Sequence, residues 1–202
     1  VGPSAEKVTS VNHCDGKDVW VTTATKNSDK FYSYLVTASG IQPPVISSIG
    51  VPNNFFGLGY LKFSPDATKL ACVNFGRGLD LFDFDPSTGQ ISNRKSIING
   101  INQQPYGVEF SSNSRILYVS NTFQLQVLYR RCDVRQYSGL NADALSISAT
   151  KVELDSIYLS APAGVAYFSA LQLGPDGKLY VSHLGNSLGV IDKPDVQGVA
   201  CS

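Results

Sequence analysis

Short apolar runs alternate with polar turns along the whole chain, and the clearest instance is residues 59–90, GYLKFSPDATKLACVNFGRGLDLFDFDPSTGQ. The pattern predicts three antiparallel strands, Tyr60 to Phe63, Leu70 to Asn74 and Leu79 to Phe84. Two turns punctuate them. In Ser64-Pro65-Asp66-Ala67 the proline presets φ and the aspartate bonds its own backbone, and Pro86-Ser87-Thr88-Gly89 closes the third strand.

The unit recurs. Second strands align at Asp18 to Thr22, Leu70 to Asn74, Ile116 to Ser120 and Lys178 to Ser182, each an apolar run that ends in Val and is followed by a small polar residue. The closing valines, Val21, Val73, Val119 and Val181, lie 52, 46 and 62 residues apart, close to the period of a propeller blade. A matching turn precedes each: Cys14-Asp15-Gly16-Lys17, Ser64-Pro65-Asp66, Ser111-Ser112-Asn113-Ser114 and Gly174-Pro175-Asp176-Gly177. Third strands follow at Phe31 to Val36, Leu79 to Phe84, Leu125 to Arg130 and Leu188 to Ile191. Fourth strands are expected at Val45 to Ile49, Ile91 to Ile98 and Ile147 to Leu154.

Helical patterning is nearly absent; Leu140 to Leu145 is short, and β-branched residues follow it. The expected fold is therefore all-β. A sandwich would not repeat one strand-turn-strand unit four times, so a β-propeller of about four blades is expected, with repeats near 6–50, 57–102, 106–160 and 167–202 in one propeller region. Thin sheets of this kind bury both faces only by stacking on one another. Leu61 and Phe63 should then face one neighbour and Tyr60 the other, and Trp20 should pack between blades. A fourth strand for the last repeat is missing. The chain is thus expected to be part of a larger ring, to pair with a second copy through open blade edges, or to complete its last blade with Val1 to Val8.

These stretches resemble a family of secreted Bacteroidetes propellers, found in large surface proteins with gliding-motility-associated C-terminal sorting domains and often PKD modules. The resemblance rests on Lys30 to Leu35, Leu61 to Asp66, Leu81 to Asp85 with Thr88 to Asn93, Tyr106 to Ser111, Ala170 to Lys178, and Leu188 to Ile191 with Ala200-Cys201. Leu117-Tyr118-Val119-Ser120-Asn121 is similar to the YVTN propeller repeat. The resemblance implies a secreted or cell-surface, outer-membrane-associated location and a ring that continues past Ala200-Cys201. Relatives often carry a Cys where this chain has Pro86-Ser87, so the resemblance leaves Cys201 without the family's disulfide partner.

Sixteen basic and sixteen acidic residues cancel, which leaves no electrostatic footprint for nucleic acid or an anionic membrane. No apolar run is long enough to span a bilayer. With no opening Met, the chain is expected to be processed or cut from a longer protein. Cys14, Cys72, Cys132 and Cys201 form no CxxC pair, against a zinc or thioredoxin-like centre. Cys72 is expected to be a buried hydrophobe, Cys14 and Cys201 are able to pair if the chain ends meet, and the pairing of all four stays open.

No residue is nominated as catalytic, cofactor-binding or metal-ligating, and no cofactor is expected. His13 and His183 are read as turn or blade-surface groups, although His13 beside Asp15 has the makings of an acid-base pair. Asp80, Asp83 and Asp85 alternate as on a half-exposed strand and lack the spacing of a calcium loop. Gly57-Leu58-Gly59 and Gly76-Arg77-Gly78 stand beside strands, as backbone turns, and Arg130, Arg131 and Arg135 are read as a solvated loop. Phe55, Phe56 and Phe123 are read as blade packing, with a sugar or protein groove as the alternative. The leading functional expectation is a non-enzymatic binding or scaffold module with a protein or glycan partner. A lactonase-like or other hydrolytic propeller and a carbohydrate-recognition propeller are the alternatives.

Overall fold

The structure, a computed structural model, describes residues 3–52, 57–100, 103–126, 129–160, 168–183 and 186–201, with backbone alone at 123–126, 129–130, 157–160 and 168. Four antiparallel sheets follow one another along the chain. The first holds β1 (Ser4–Asn12), β2 (Val19–Thr25) and β3 (Lys30–Thr37), and two short strands, β4 (Gly40–Ile41) and β5 (Val45–Ser48), share the outer edge of β3. The second is β6 (Leu61–Phe63), β7 (Lys69–Asn74), β8 (Gly78–Phe84) and β9 (Ile91–Asn99). The third is β10 (Gln103–Phe110), β11 (Leu117–Gln126), β12 (Tyr129–Tyr137) and β13 (Val152–Ser160), with helix α1 (Ala144–Ala149) before its last strand. The fourth is β14 (Phe168–Leu173), β15 (Leu179–His183) and β16 (Leu188–Ile191).

Consecutive sheets stack through their first strands. β1 lies against β6, β6 to β8 against β10, and β10 to β12 against β14. This is a β-propeller with four blades. Each seam has its own apolar layer, as thin sheets covered on both faces require. Trp20 and Phe31 meet Leu61, Phe63, Phe82 and Phe84 at the first seam. Val73, Leu79 and Ile98 meet Val108, Phe110 and Val119 at the second, and Tyr118 and Cys132 meet Leu171, Val181 and Cys201 at the third. Alternation along one strand feeds two seams: Leu61 and Phe63 face the first blade, while Tyr60 packs on the second seam. Each fully buried large side chain contributes about 1.5–3 kcal/mol.

The small polar residue after each closing valine has a structural task. Ser120 Oγ accepts from Gly107 N at 2.9 Å and donates to Ser169 O at 2.6 Å, holding the register shift in β10 against β14. Ser182 Oγ accepts from Ala170 N at 2.8 Å beside the equivalent shift in β14. A Cβ on Gly107 would stand 2.2 Å from Ser169 O, so only glycine lets these backbones approach. The turns repeat their chemistry too. Asp15, Asp66, Asn113 and Asp176 each accept, through Oδ1, from the backbone N–H two residues on.

Three expectations need correction. Residues 4–8 belong to β1 and pair with β2, so they do not complete the last blade. The expected strand over Ile147 to Leu154 is a helix followed by a strand that begins at Val152. Asp143 caps Leu145 N and Ser146 N at 3.0 Å, which offsets the poor helix propensity of Ile147, whose side chain is buried in the second seam. The third strand expected at Leu125 to Arg130 starts later, at Tyr129, because β11 runs ten residues to Gln126.

Candidate functional site

The first strands of three blades share one polar network. Lys62 on β6 donates to Glu109 Oε2 on β10 at 2.8 Å and to Gln172 Oε1 on β14 at 2.9 Å. Glu109, buried, also accepts from Phe110 N at 3.1 Å and Leu173 N at 3.2 Å. The carboxylate thus has two backbone donors and one ammonium around it, which fixes its position between the second, third and fourth blades.

Beside this network the inner strands open. Glu6, Val8, Tyr60 and Lys62 line a cleft of about 560 Å³ between β1 and β6. The Tyr60 and Tyr106 rings lie 5.4 Å apart and tilted, one from each of two neighbouring blades. Burial, with the nearby Glu6 carboxylate and Tyr60, pushes the Tyr106 phenol up, so it is a neutral donor across the ordinary pH range. An aromatic pair flanked by an acid and a base can hold a polar ligand through ring faces and charge-assisted hydrogen bonds.

A second polar cluster lies in the first seam. Lys7 is 4% exposed, donates to Asn74 Oδ1 at 2.5 Å and stands 3.9 Å from Cys72 Sγ. Burial pulls the Lys7 pKa down against the opposing pull of Cys72 and Asp80, and burial pushes the Cys72 thiol up. Asp80, also buried, pairs with Arg94 at 2.9 Å.

The residues singled out in the sequence do not converge. His13 Nδ1 is 3.1 Å from Asp15 Oδ1 in the turn between β1 and β2. The N–H groups of Asp18 and Lys17 lower the Asp15 pKa to about 2, so this carboxylate organises a turn. His183 ends a second strand and His13 follows a first strand, which places them at opposite ends of different sheets. Asp83 pairs with Lys69 at 2.8 Å, and Asp85 caps its turn through Ser87 N at 2.9 Å. Asp80 corrects the expectation of a half-exposed strand, because β8 is covered by both neighbouring blades.

The arginines are a further correction. Arg131 and Arg135 lie on β12, not in a loop, and Arg135 is 3% exposed. Arg135 Nε is 2.8 Å from Asp133, Arg131 bridges Asp133 and Glu153, and Arg135 donates to Gln103 at 3.1 Å. Burial raises the Asp133 pKa, opposed by Arg135. None of the four cysteines forms a disulfide; Cys14 is exposed and Cys201 buried, so the suggested pairing of the two is absent. Phe55 and Phe56, and the side chain of Phe123, lie outside the described residues. Among the described residues no three His, Cys, Asp or Glu side chains gather as metal ligands, and no helix is long and apolar enough to cross a membrane.

Neither the protein-family models nor the curated proteins contain a match to this chain. Solved structures do match. A provisionally assigned 6-phosphogluconolactonase of Bacteroides uniformis is 16% identical over 95% of this chain, with a TM-score of 0.57, and the match covers 52% of that protein. A second provisional 6-phosphogluconolactonase, from Bacteroides fragilis, is 14% identical over 94% of this chain with a TM-score of 0.55, covering 51% of it. The shared fold is the β-propeller. At this identity the likeness extends to architecture alone, and the chain spans about half the length of either structure.

The sequence pattern did not reveal the Lys62, Glu109 and Gln172 network. A charged or amide residue beside apolar ones on three successive first strands was its only signal.

Proposed function

We propose that this chain is a non-enzymatic binding or scaffold module of a secreted or cell-surface protein, engaging a protein or glycan partner at the inner-strand cleft beside Tyr60 and Tyr106. The observation that carries this reading is the engagement of Glu109 by Lys62, Phe110 N and Leu173 N, which commits this buried inner-strand carboxylate to joining blades. A general base needs a lone pair aimed at substrate, and three of the roughly four acceptor sites on this carboxylate already hold structural donors. The tyrosine pair and Glu6 favour a polar, hydroxyl-rich ligand, as in carbohydrate recognition.

Lactone hydrolysis is the second reading, favoured by the names of the two Bacteroides structures and by the presence of a Lys and Glu pair at the centre. One experiment separates the two. The protein is titrated with a glycan panel and assayed with a series of sugar lactones, alongside Tyr60→Ala and Glu109→Gln. Glycan binding lost in Tyr60→Ala, without turnover, supports the binding reading. Lactone turnover abolished by Glu109→Gln in a folded variant overturns it. The surface location is checked by protease shaving of intact cells, and pairing through the β16 edge by the mass in solution.

A further inference from the structure

From the first seam we infer that the second blade carries a separate site for a small oxyanion, of the phosphate or sulfate class, at the end of β7 to β9. A polar cavity of about 210 Å³ opens there, lined by Asn74, Arg77, Asp80, Arg94, Ser96 and Asn99. Its walls are set by the strand ends: Asn74 closes β7, Arg77 follows in the tight turn through its N–H to Asn74 O at 2.9 Å, and Ser96 and Asn99 come from β9. The two guanidiniums enter from different elements and face the same space.

The charge in this corner is unbalanced. Arg77 and Arg94 are answered in the lining by one carboxylate, Asp80, which Arg94 already contacts at 2.9 Å. Lys7 lines a neighbouring small pocket of about 10 Å³ that shares Asn74 and Asp80 with this cavity. Asp29 and Lys30 line that pocket too, with opposite charges. A guanidinium has five N–H donors, and the contacts to Asp80 from Arg94 and to the Pro52 carbonyl from Arg77 occupy a minority of them. Both guanidiniums keep further N–H donors for a ligand. Two guanidiniums beside one acid in a half-enclosed site attract a multivalent anion, and forked donors match tetrahedral oxygens better than a single carboxylate. Neutral Asn74, Ser96 and Asn99 complete the wall with groups able to hydrogen-bond an oxyanion or its esterified hydroxyl.

The test is calorimetric titration of the whole chain with inorganic phosphate, sulfate and acetate at low and at moderate ionic strength. Phosphate and sulfate are expected to bind one per chain and acetate more weakly. Arg77→Gln, which gives up one contact to a carbonyl, should lower phosphate affinity tenfold or more with an unchanged circular dichroism spectrum. Asp80→Asn, which removes the competing carboxylate, should raise it. Lys178→Gln, at an exposed ion pair on the fourth blade, should leave it unchanged. Absence of saturable binding, equal affinity in folded Arg77→Gln, or loss of binding in folded Lys178→Gln would each overturn the assignment.

Discussion

Replacing Ser120 by alanine removes a single oxygen that ties three strands in two blades. Ser120 is fully buried; its hydroxyl takes the Gly107 N–H and gives its proton to the Ser169 carbonyl across the third seam. Both backbone groups lose their partner in Ser120→Ala. A buried backbone group left unpaired costs about 1–3 kcal/mol, so the two together cost about 2–4 kcal/mol with the half-buried Ser169 at the low end. In a domain of this size that is a fall in Tm of about 6–12 °C. Ser182→Ala is the internal control. It occupies the same place in the fourth blade, is half-buried, and strongly holds only Ala170 N, so water can replace it at a cost of about 0.5–1.5 kcal/mol. Thermal and urea unfolding followed by circular dichroism give both values. Equal losses in the two variants, or a loss under about 0.5 kcal/mol for Ser120→Ala, would refute the assignment of this hydroxyl as an inter-blade tie.

Gly89→Ala should be strongly destabilising, because φ there is +75° and the new Cβ would lie 2.5 Å from the Trp20 ring; overpacking and the left-handed backbone together cost about 2–4 kcal/mol, read by urea unfolding. Trp20 is the only tryptophan and is 4% exposed, so its fluorescence should be blue-shifted in the native protein and move to the red in step with that unfolding. Thiol titration should find one reactive cysteine, Cys14, in the native state and four after denaturation. Burial tends to raise the Asp66 and Asp83 pKa values, but hydrogen bonds from Ser64 and Thr68 to the first, and from Lys69 and Asn93 to the second, outweigh it. Their folded values lie below the unfolded ones, so their stabilisation is present above about pH 4 and lost as pH falls through the folded values. The Tm should therefore hold in mild acid and drop below about pH 4, less steeply in Asp83→Asn.

The propeller was legible in the sequence because its grammar is local. The Ser64-Pro65-Asp66 and Gly174-Pro175-Asp176 turns state their geometry in their own side chains, and the closing valines mark the second strands without reference to distant residues. Trp20 is expected between blades because equivalent positions in other repeats are filled by Cys72, Tyr118 and Tyr180, and it does pack there, its Nε1 donating to Pro86 O at 2.9 Å. The misreadings have the opposite character. Arg131 and Arg135 read as solvated although Asp133 lies between them on the same strand, because Glu153 is reached only through the pairing of β12 with β13 and burial of the strand is not local. The helix at Ala144–Ala149 depends on a cap from Asp143 and on Ser148 Oγ reaching Ile97 O at 2.6 Å on another blade. The axial network depends on residues 47 and 110 positions apart, and nothing local announces it.

A double-mutant cycle between Lys62 and Glu109 tests the stacking of successive first strands most directly. Urea unfolding of Lys62→Met, Glu109→Gln and the combined variant isolates the pair, whose members touch only if β6 and β10 are neighbours. Direct contact at 2.8 Å predicts a coupling of about 1–3 kcal/mol. Additive losses, within about 0.3 kcal/mol, would contradict the arrangement of the blades and the axial site built on it.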